Sequence, residues 1–367
     1  MDQNKCEGPI TEAEAKKVLK NMKNGKTPGS DGYPAEFYKY FWNDIGKFVI
    51  DSLNDAFTKS KLSVTQKLGI LTCLPKGEKS QEFLKNLRPI TLLNVDYKIL
   101  SGVLAMRMRE VLPNIISDSQ KGFLKDRYIG ENIRLVFDII QFLKKIRKQG
   151  LILLIDFEKA FDSIEWEYIL KILKAYNIGR HFIRWFKILY TDSCSCVINN
   201  GYLSEQFVLG RGCRQGDPLS PYLFILAIEP LAMAIKNHNS IQGLTVGHNQ
   251  FKIGQYADDT FLLLDGTENS LREAINIFHL FFQCSGLKMN MQKTQVAWIG
   301  LVWNEDIRLC QELNLNWVRS FKLCGTEFAN NIEEIMHINY KPRLDSTKKG
   351  KISLIVKITV IKSLFIV

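Results

Sequence analysis

The sequence holds eight cysteines but no Cys-x-x-Cys pair, and its five histidines stand at no zinc-like spacing from them. No zinc site is expected. A signal peptide is also missing, and scattered thiols without one fit a reducing, intracellular compartment. The most apolar stretch, residues 352–367, is interrupted by Lys357 and Lys362 and is too short to span a bilayer, so no membrane partner is expected. The basic loop Lys26-Thr27-Pro28-Gly29-Ser30-Asp31-Gly32 lacks the Gly-Lys-Ser/Thr ending of a P-loop. Negative charge is in short supply: 38 acidic residues face 49 basic ones, a net charge of +11. That surplus favours a polyanionic partner such as nucleic acid or an acidic membrane surface.

What is present describes a folded chain. A hydrophobic content of 46% and an aromatic content of 11% exclude disorder, and 367 residues predict two or three packed subdomains. Thr11-Glu12-Ala13-Glu14 reads as a capping box, and an aromatic helix is predicted from Pro34 to about Phe57. Leu68–Leu74 is a short apolar run. Arg88 precedes Pro89, which holds it extended, either as an ordinary surface arginine or as a guanidinium aimed at a triphosphate. Long helices are predicted over Asn94–Leu112 and Glu131–Arg147. Asn200-Gly201 marks a hairpin. Ser220-Pro221 starts a helix to about Lys236, with Pro230 inside it, and another helix spans Ser270–Ser285. Asp162 and Ser163 are expected to cap the helix that runs through Trp166 and Leu173.

Three aspartates stand apart from this background. Leu151–Ile155 is an unbroken apolar run, read as a central strand buried on both faces, and Asp156 stands at its carboxyl end. A carboxylate there is costly unless a cation or hydrogen bonds satisfy it. About a hundred residues on, Tyr256-Ala257-Asp258-Asp259 lies between two β-prone runs and reads as a hairpin tip. Alone, Asp258 and Asp259 could be turn formers. Two carboxylates about 4 Å apart repel by roughly 4 kcal/mol at an effective dielectric near 20, so bringing three together calls for divalent cations. Carboxylate oxygens suit Mg²⁺, and two such ions serve in-line phosphoryl transfer. Asp156 and Asp258 are the expected shared ligands, with Asp259 turned away in a lesser role.

Taken in order, these segments resemble the reverse transcriptase of non-LTR (LINE-type) retrotransposons. The resemblance rests on Lys26 to Gly32, Leu87-Arg88-Pro89-Ile90, Gln120-Lys121-Gly122-Phe123, Asp156 to Asp162, Arg214 to Pro221, Tyr256 to Asp259 and Gly286 to Lys293, and covers nearly the whole chain. It implies an α+β right-hand polymerase fold with an antiparallel-sheet palm, helical fingers and a partial helical thumb. The implied division is an N-terminal helical extension over 1–66, fingers over 67–150, a palm with finger insertions over 151–320, and a primer-grip region with a truncated thumb over 321–367. The implied activity is RNA-directed DNA synthesis on an RNA template, from a DNA primer or target and dNTPs. The setting is the nucleus or a cytoplasmic ribonucleoprotein. The alternative is an inactive nucleic-acid-binding remnant.

By the same resemblance, Asp156, Asp258 and Asp259 bind two Mg²⁺ ions, for which Mn²⁺ could substitute, and Lys293 protonates the leaving pyrophosphate. Lys76, Arg88, Phe157, Ala160, Phe161, Gln215 and Gly216 line the nucleotide site. Phe161 matches an aromatic gate that leaves no room for a ribose 2′-hydroxyl, a role compatible with core packing. Two departures stand out: Cys324 in the primer-grip segment Phe321–Gly325, where a larger apolar residue is usual, and Val356, where glycine is often found before Lys357-Ile358-Thr359.

Overall fold

The computed structural model describes residues 3–77, 82, 83, 86–301, 307–329 and 339. They divide between two compact units, bounded as Met1–Ile116 with Lys159–Ala227 and Ser117–Glu158 with Ile228–Val367. The expectations placed on residues 341–367, including most of the thumb and the Val356 departure, lie outside the described residues.

In the first unit the predicted capping box is present: Thr11 Oγ1 accepts from the Glu14 amide at 3.3 Å, and Glu14 Oε2 accepts from the Thr11 amide at 3.1 Å. Glu14 also pairs with buried Arg107 at 2.7 Å. The other Arg107 donors reach the carbonyls of Glu7, Gly8 and Pro9, so one guanidinium ties the first helix (Glu12–Asn21) to the Val95–Val111 helix. The latter is buried along most of its length, through residues such as Tyr97, Leu100, Leu104 and Met108. Nearby, Asn94 Oδ1 accepts from Ser30 Oγ and the Asp31 amide, docking the Lys26–Gly32 loop.

The single helix expected over Pro34–Phe57 is instead two, Ala35–Tyr40 and Trp42–Lys59, broken at Phe41 with φ −94° and ψ 12°. Five aromatic residues between Phe37 and Trp42 are more than one helix face can bury. The break turns Trp42 inward to 4% exposure while Tyr40 stays 82% exposed.

The sheet of this unit runs Leu87–Leu92, Gly69–Pro75, Cys194–Asn199, Tyr202–Leu203, with Phe207–Val208 also on Cys194–Asn199. The Asn200-Gly201 turn has φ of 49° and 83°, the type I′ pattern its sequence predicts. Asp162 and Ser163 are not caps of the Trp166–Ala175 helix. They lie in a separate short helix, Ala160–Ser163, and the longer helix begins after extended Ile164 and Glu165 without a side-chain cap. Backbone bonds from Gly212 to Ile164 (2.8 Å) and from Cys213 to Phe161 (2.6 Å) account for the interruption, because they hold this stretch against a neighbouring loop.

The second unit is built on the order Asn316–Trp317, Gln295–Gly300, Gln149–Ile155, Asp259–Leu264, Ile253–Tyr256. Gln149–Ile155 is the central strand and pairs antiparallel on both sides. Its run of Leu151, Ile152 and Leu153 is fully buried, which is why the sequence shows no polar alternation there. Helix Ile129–Lys145 contributes Val136, Ile139, Ile140 and Leu143 to a core with Ile152, Phe261, Leu263 and Ile299. Helix Glu268–Ser285 buries Leu271, Ile275 and Phe278 at helical spacing. The hairpin of Phe321–Leu323 and Thr326–Phe328 turns at Cys324-Gly325, where φ is positive at both residues. Mixed helices and a mainly antiparallel sheet make this an α+β fold. Among the described residues, no helix is long and apolar enough to cross a membrane.

Candidate active site

In the second unit the three aspartates converge at one end of the sheet. Asp156 follows the central strand directly. Its carbonyl accepts from the Asn290 amide at 2.7 Å, and its amide donates to Thr294 Oγ1 at 3.4 Å. Asp259 opens the neighbouring strand, whose register pairs Thr260 with Ile155, so Asp156 and Asp259 come at the same end. Both line a cleft of about 140 Å³ with Lys293, Lys322 and Cys324. Asp259 is exposed as a residue. Even so, desolvation of its carboxyl, and then the charges of Asp258 and Asp156, raise it above the ordinary carboxylate range.

Asp258 occupies the turn between the two strands. Tyr256 pairs with Asp259 across a two-residue tip of Ala257 and Asp258, and Ala257 has φ of 55°. Positive φ at the first tip residue alone is the φ signature of a type II′ hairpin. The expectation that Asp259 turns away from Asp156 therefore meets a different arrangement: Asp259 lines the cleft beside Asp156, and Asp258 stands at the tip.

Lys293 reaches the same place because the Lys288–Asn290 segment lies antiparallel along Asp156–Glu158. The Phe157 and Met289 backbones form a bridge, Glu158 donates its amide to Lys288 O at 2.9 Å, and the side chains of Glu158 and Lys288 pair at 3.2 Å. The following turn sets Lys293 Nζ 3.6 Å from Asp156 Oδ2. Phe157 itself is 7% exposed, with its ring 6.1 Å from that of Phe278, so its side chain belongs to the core. Cys324 has its thiol pushed up to about 12, by burial first and then by the charge of Asp259, and stays neutral. Asn290 and Thr294, which hold Asp156 in place, carry no signal in the sequence beyond their position, Asn290 within the Gly286–Lys293 stretch and Thr294 just after it.

The donors suit a hard divalent cation, since the cleft offers carboxylate oxygens whose mutual repulsion is visible at Asp259. Their oxygens do not all lie within 4.8 Å of one another. Among the described residues the trio that does is Glu268, Cys310 and Glu312, and there the Arg272 guanidinium bonds both carboxylates.

The remaining predicted residues belong to the first unit. Arg88 is exposed on Leu87–Leu92, opposite Leu74 in the register, and Lys76 lies just beyond Gly69–Pro75, its amide bonded to Asn86 O at 2.8 Å. Gln215 O accepts from the Thr91 amide at 2.7 Å, which fixes the Gln215-Gly216 loop to the Arg88-bearing strand. Gly216 has φ of 115°, and a Cβ there would stand 2.5 Å from Thr91 O; only glycine fits. Beneath the loop, Arg214 is buried, with its guanidinium 5.6 Å from the centre of the Tyr97 ring. Asp217 accepts from the Leu219 amide at 3.1 Å, and burial raises its pKa. Leu71, Thr91, Asp162, Arg211 and Gln215 border a cleft of about 190 Å³. Phe161 stacks on Phe224 with ring centres 4.3 Å apart, and Ala160 is buried beside it in the chain.

The sequence matches the family described as Reverse transcriptase (RNA-dependent DNA polymerase) over residues 74–328, more than half of the chain. It is 32% identical over 292 residues to the transposon TX1 uncharacterized 149 kDa protein of Xenopus laevis, a match that covers 79% of this chain and 22% of that protein. It is 29% identical over 270 residues to the retrovirus-related Pol polyprotein from the type-2 retrotransposable element R2DM of Drosophila melanogaster, covering 73% of this chain and 24% of that one. The chain thus spans about a quarter of the length of these relatives. In structure it is similar to telomerase from Candida albicans, solved with a TWJ fragment of telomeric RNA. The TM-score is 0.50 and the identity 14%, over 81% of this chain and 49% of that one, a likeness of fold. From the match over residues 74–328, on an α+β fold of the polymerase kind, the chain belongs to the reverse transcriptase family, on the branch of the non-LTR retrotransposons.

Proposed function

We propose that this chain is an RNA-directed DNA polymerase domain that extends a DNA 3′-hydroxyl on an RNA template with dNTPs. The observation that carries the reading is the cleft holding Asp156, Asp259 and Lys293 together, with Asp258 in the adjoining turn. Two Mg²⁺ ions, or Mn²⁺ in their place, would be held by Asp156, Asp258 and Asp259, and would supply a more acidic 3′-hydroxyl and charge neutralisation at the phosphates.

The chain's own groups do the rest. Lys293, with Nζ 3.6 Å from Asp156 Oδ2, is the proton donor to the departing pyrophosphate. Arg88 and Lys76 grip the triphosphate, Arg88 from an extended strand that fixes its fork. Gln215 and Gly216 form the floor of the nucleotide site, where the missing Cβ allows close approach. Phe161, with its ring held by Phe224, fills the space a 2′-hydroxyl needs. Ala160 and Phe157 contribute backbone and packing, since both side chains are buried.

In domain terms we assign 1–66 to an N-terminal extension, 67–150 to fingers, 151–320 to the palm and 321–367 to the primer grip and thumb. The partners are an RNA template, a DNA primer or target and dNTPs, in the nucleus or a cytoplasmic ribonucleoprotein. The test is template choice: a labelled DNA primer on RNA should be extended by the dNTP complementary to the next template base, and only with divalent metal present. Extension that ignores the template would overturn the templated reading, and no extension from a folded chain that binds the duplex would favour a non-catalytic nucleic-acid-binding protein.

A further inference from the structure

Ala257, at the tip of the aspartate hairpin, has φ of 55°, a left-handed conformation that a residue with a Cβ keeps only when its surroundings impose it. Those surroundings come from a segment 137 residues away in sequence. Gln120, fully buried, places Oε1 2.8 Å from the Ala257 amide and donates from Nε2 to Ala257 O at 3.2 Å. One carboxamide thereby satisfies both polar groups of the left-handed residue.

Gln120 is itself held from several sides. Oε1 also accepts from the Gly122 amide at 2.8 Å. Residues 119–121 run parallel to the strand before the turn, through Gln255 N to Ser119 O and Lys121 N to Gln255 O, each 2.8 Å. Arg127 Nη1 bonds the carbonyls of Ser117 and Gln120 at 2.6 and 2.8 Å. Gly122 is what allows the approach: a Cβ there would stand 2.5 Å from the Ala257 nitrogen.

We propose that Gln120 is a positioning residue for polymerisation: its carboxamide holds Ala257 left-handed and so sets the directions in which Asp258 and Asp259 leave the turn. The proposal rests on the polymerase reading above. A change of φ at Ala257 rotates everything that follows it, beginning with Asp258. The job needs an acceptor and a donor at one end of a side chain of this length. Methionine has the length and volume but neither group, and glutamate has no donor when ionised.

The test compares the wild-type chain with Gln120→Met, Gln120→Glu and the double variant Gln120→Met with Ala257→Gly. Each is assayed for thermal stability, single-nucleotide kcat and KM, the Mg²⁺ concentration at half-maximal rate, and amide hydrogen exchange at Ala257. In folded Gln120→Met, kcat should fall about 10–100-fold, as expected if a strained turn relaxes, while the KM for dNTP changes by less than about 2-fold. The Mg²⁺ requirement should rise, and the Ala257 amide should exchange at least about 10-fold faster. Ala257→Gly should restore part of the rate in that background, because glycine holds φ of 55° without strain. Folded Gln120→Glu should lose rate and protection at Ala257 as folded Gln120→Met does, so either variant decides the matter if the other fails to fold. An unchanged kcat and unchanged Ala257 exchange in a folded variant, or a loss that Ala257→Gly leaves untouched, would overturn the proposal. A wild-type chain that incorporates nothing would overturn the polymerase reading instead, and exchange at Ala257 would still decide whether Gln120 clamps the turn.

Discussion

Asp258 and Asp259 differ by one position in the chain and by their place in the hairpin, and substitution can tell them apart. Asp156→Ala and Asp258→Ala should each abolish incorporation. Asp259→Ala, at a residue that lines the cleft beside Asp156, should lower the rate at least about 10-fold and raise the Mg²⁺ needed. A neutral Asp259→Ala, measured by single-turnover primer extension, would assign its carboxylate to the solvent side. Phe161 gives a second residue-level test. Phe161→Ala should admit ribonucleotides, read as the ratio of rNTP to dNTP kcat/KM, and unchanged discrimination would leave Phe161 as packing against Phe224. The aspartates could be picked out in the sequence because a charged residue after a buried apolar run has no cheap structural explanation. Gln120 could be quoted there as part of a motif, but its role could not be read. The contact it makes spans 137 residues, and no local pattern announces a clamp.

At the scale of elements, local chemistry decided most of what could be foreseen. The Thr11–Glu14 box, the Asn200-Gly201 turn and the helix from Ser220 follow from capping and turn rules that act within a few residues. The failures are tertiary. The break at Phe41 follows from which of the crowded aromatic rings are buried, and the separate Ala160–Ser163 helix from the bonds that Gly212 and Cys213 make to Ile164 and Phe161. Arg107 shows how much such contacts carry. Arg107→Met should destabilise the chain by about 3 kcal/mol in urea unfolding, because it strands the Glu14 carboxylate and three carbonyls. Burial alone would raise the Glu14 carboxyl, but hydrogen bonds from Arg107 and Thr11 lower it below the usual range. Its folded pKa is depressed, so the contribution is present above the unfolded value of about 4.3 and lost as pH falls through the folded one. Glu14→Gln should flatten that acid limb of the stability curve. In the Gln215 loop, Gly216→Ala should cost about 1–3 kcal/mol or about 10-fold in rate, since the left-handed backbone and Thr91 O both oppose a Cβ.

For the whole molecule the governing quantity is charge. A net +11 predicts that affinity for a primer–template duplex falls steeply with salt, with a slope that counts the phosphates neutralised. A flat response would place the basic residues away from the nucleic acid. The central claim is narrower than binding: the carboxylates at the end of the Gln149–Ile155 strand and in the adjoining hairpin carry out nucleotide transfer. It is tested most directly by single-turnover dNTP incorporation on a primed RNA, comparing the chain with Asp258→Ala after both are shown to bind the duplex equally. The account predicts Mg²⁺-dependent, templated incorporation by the chain and none by the variant. Equal incorporation by both would contradict it.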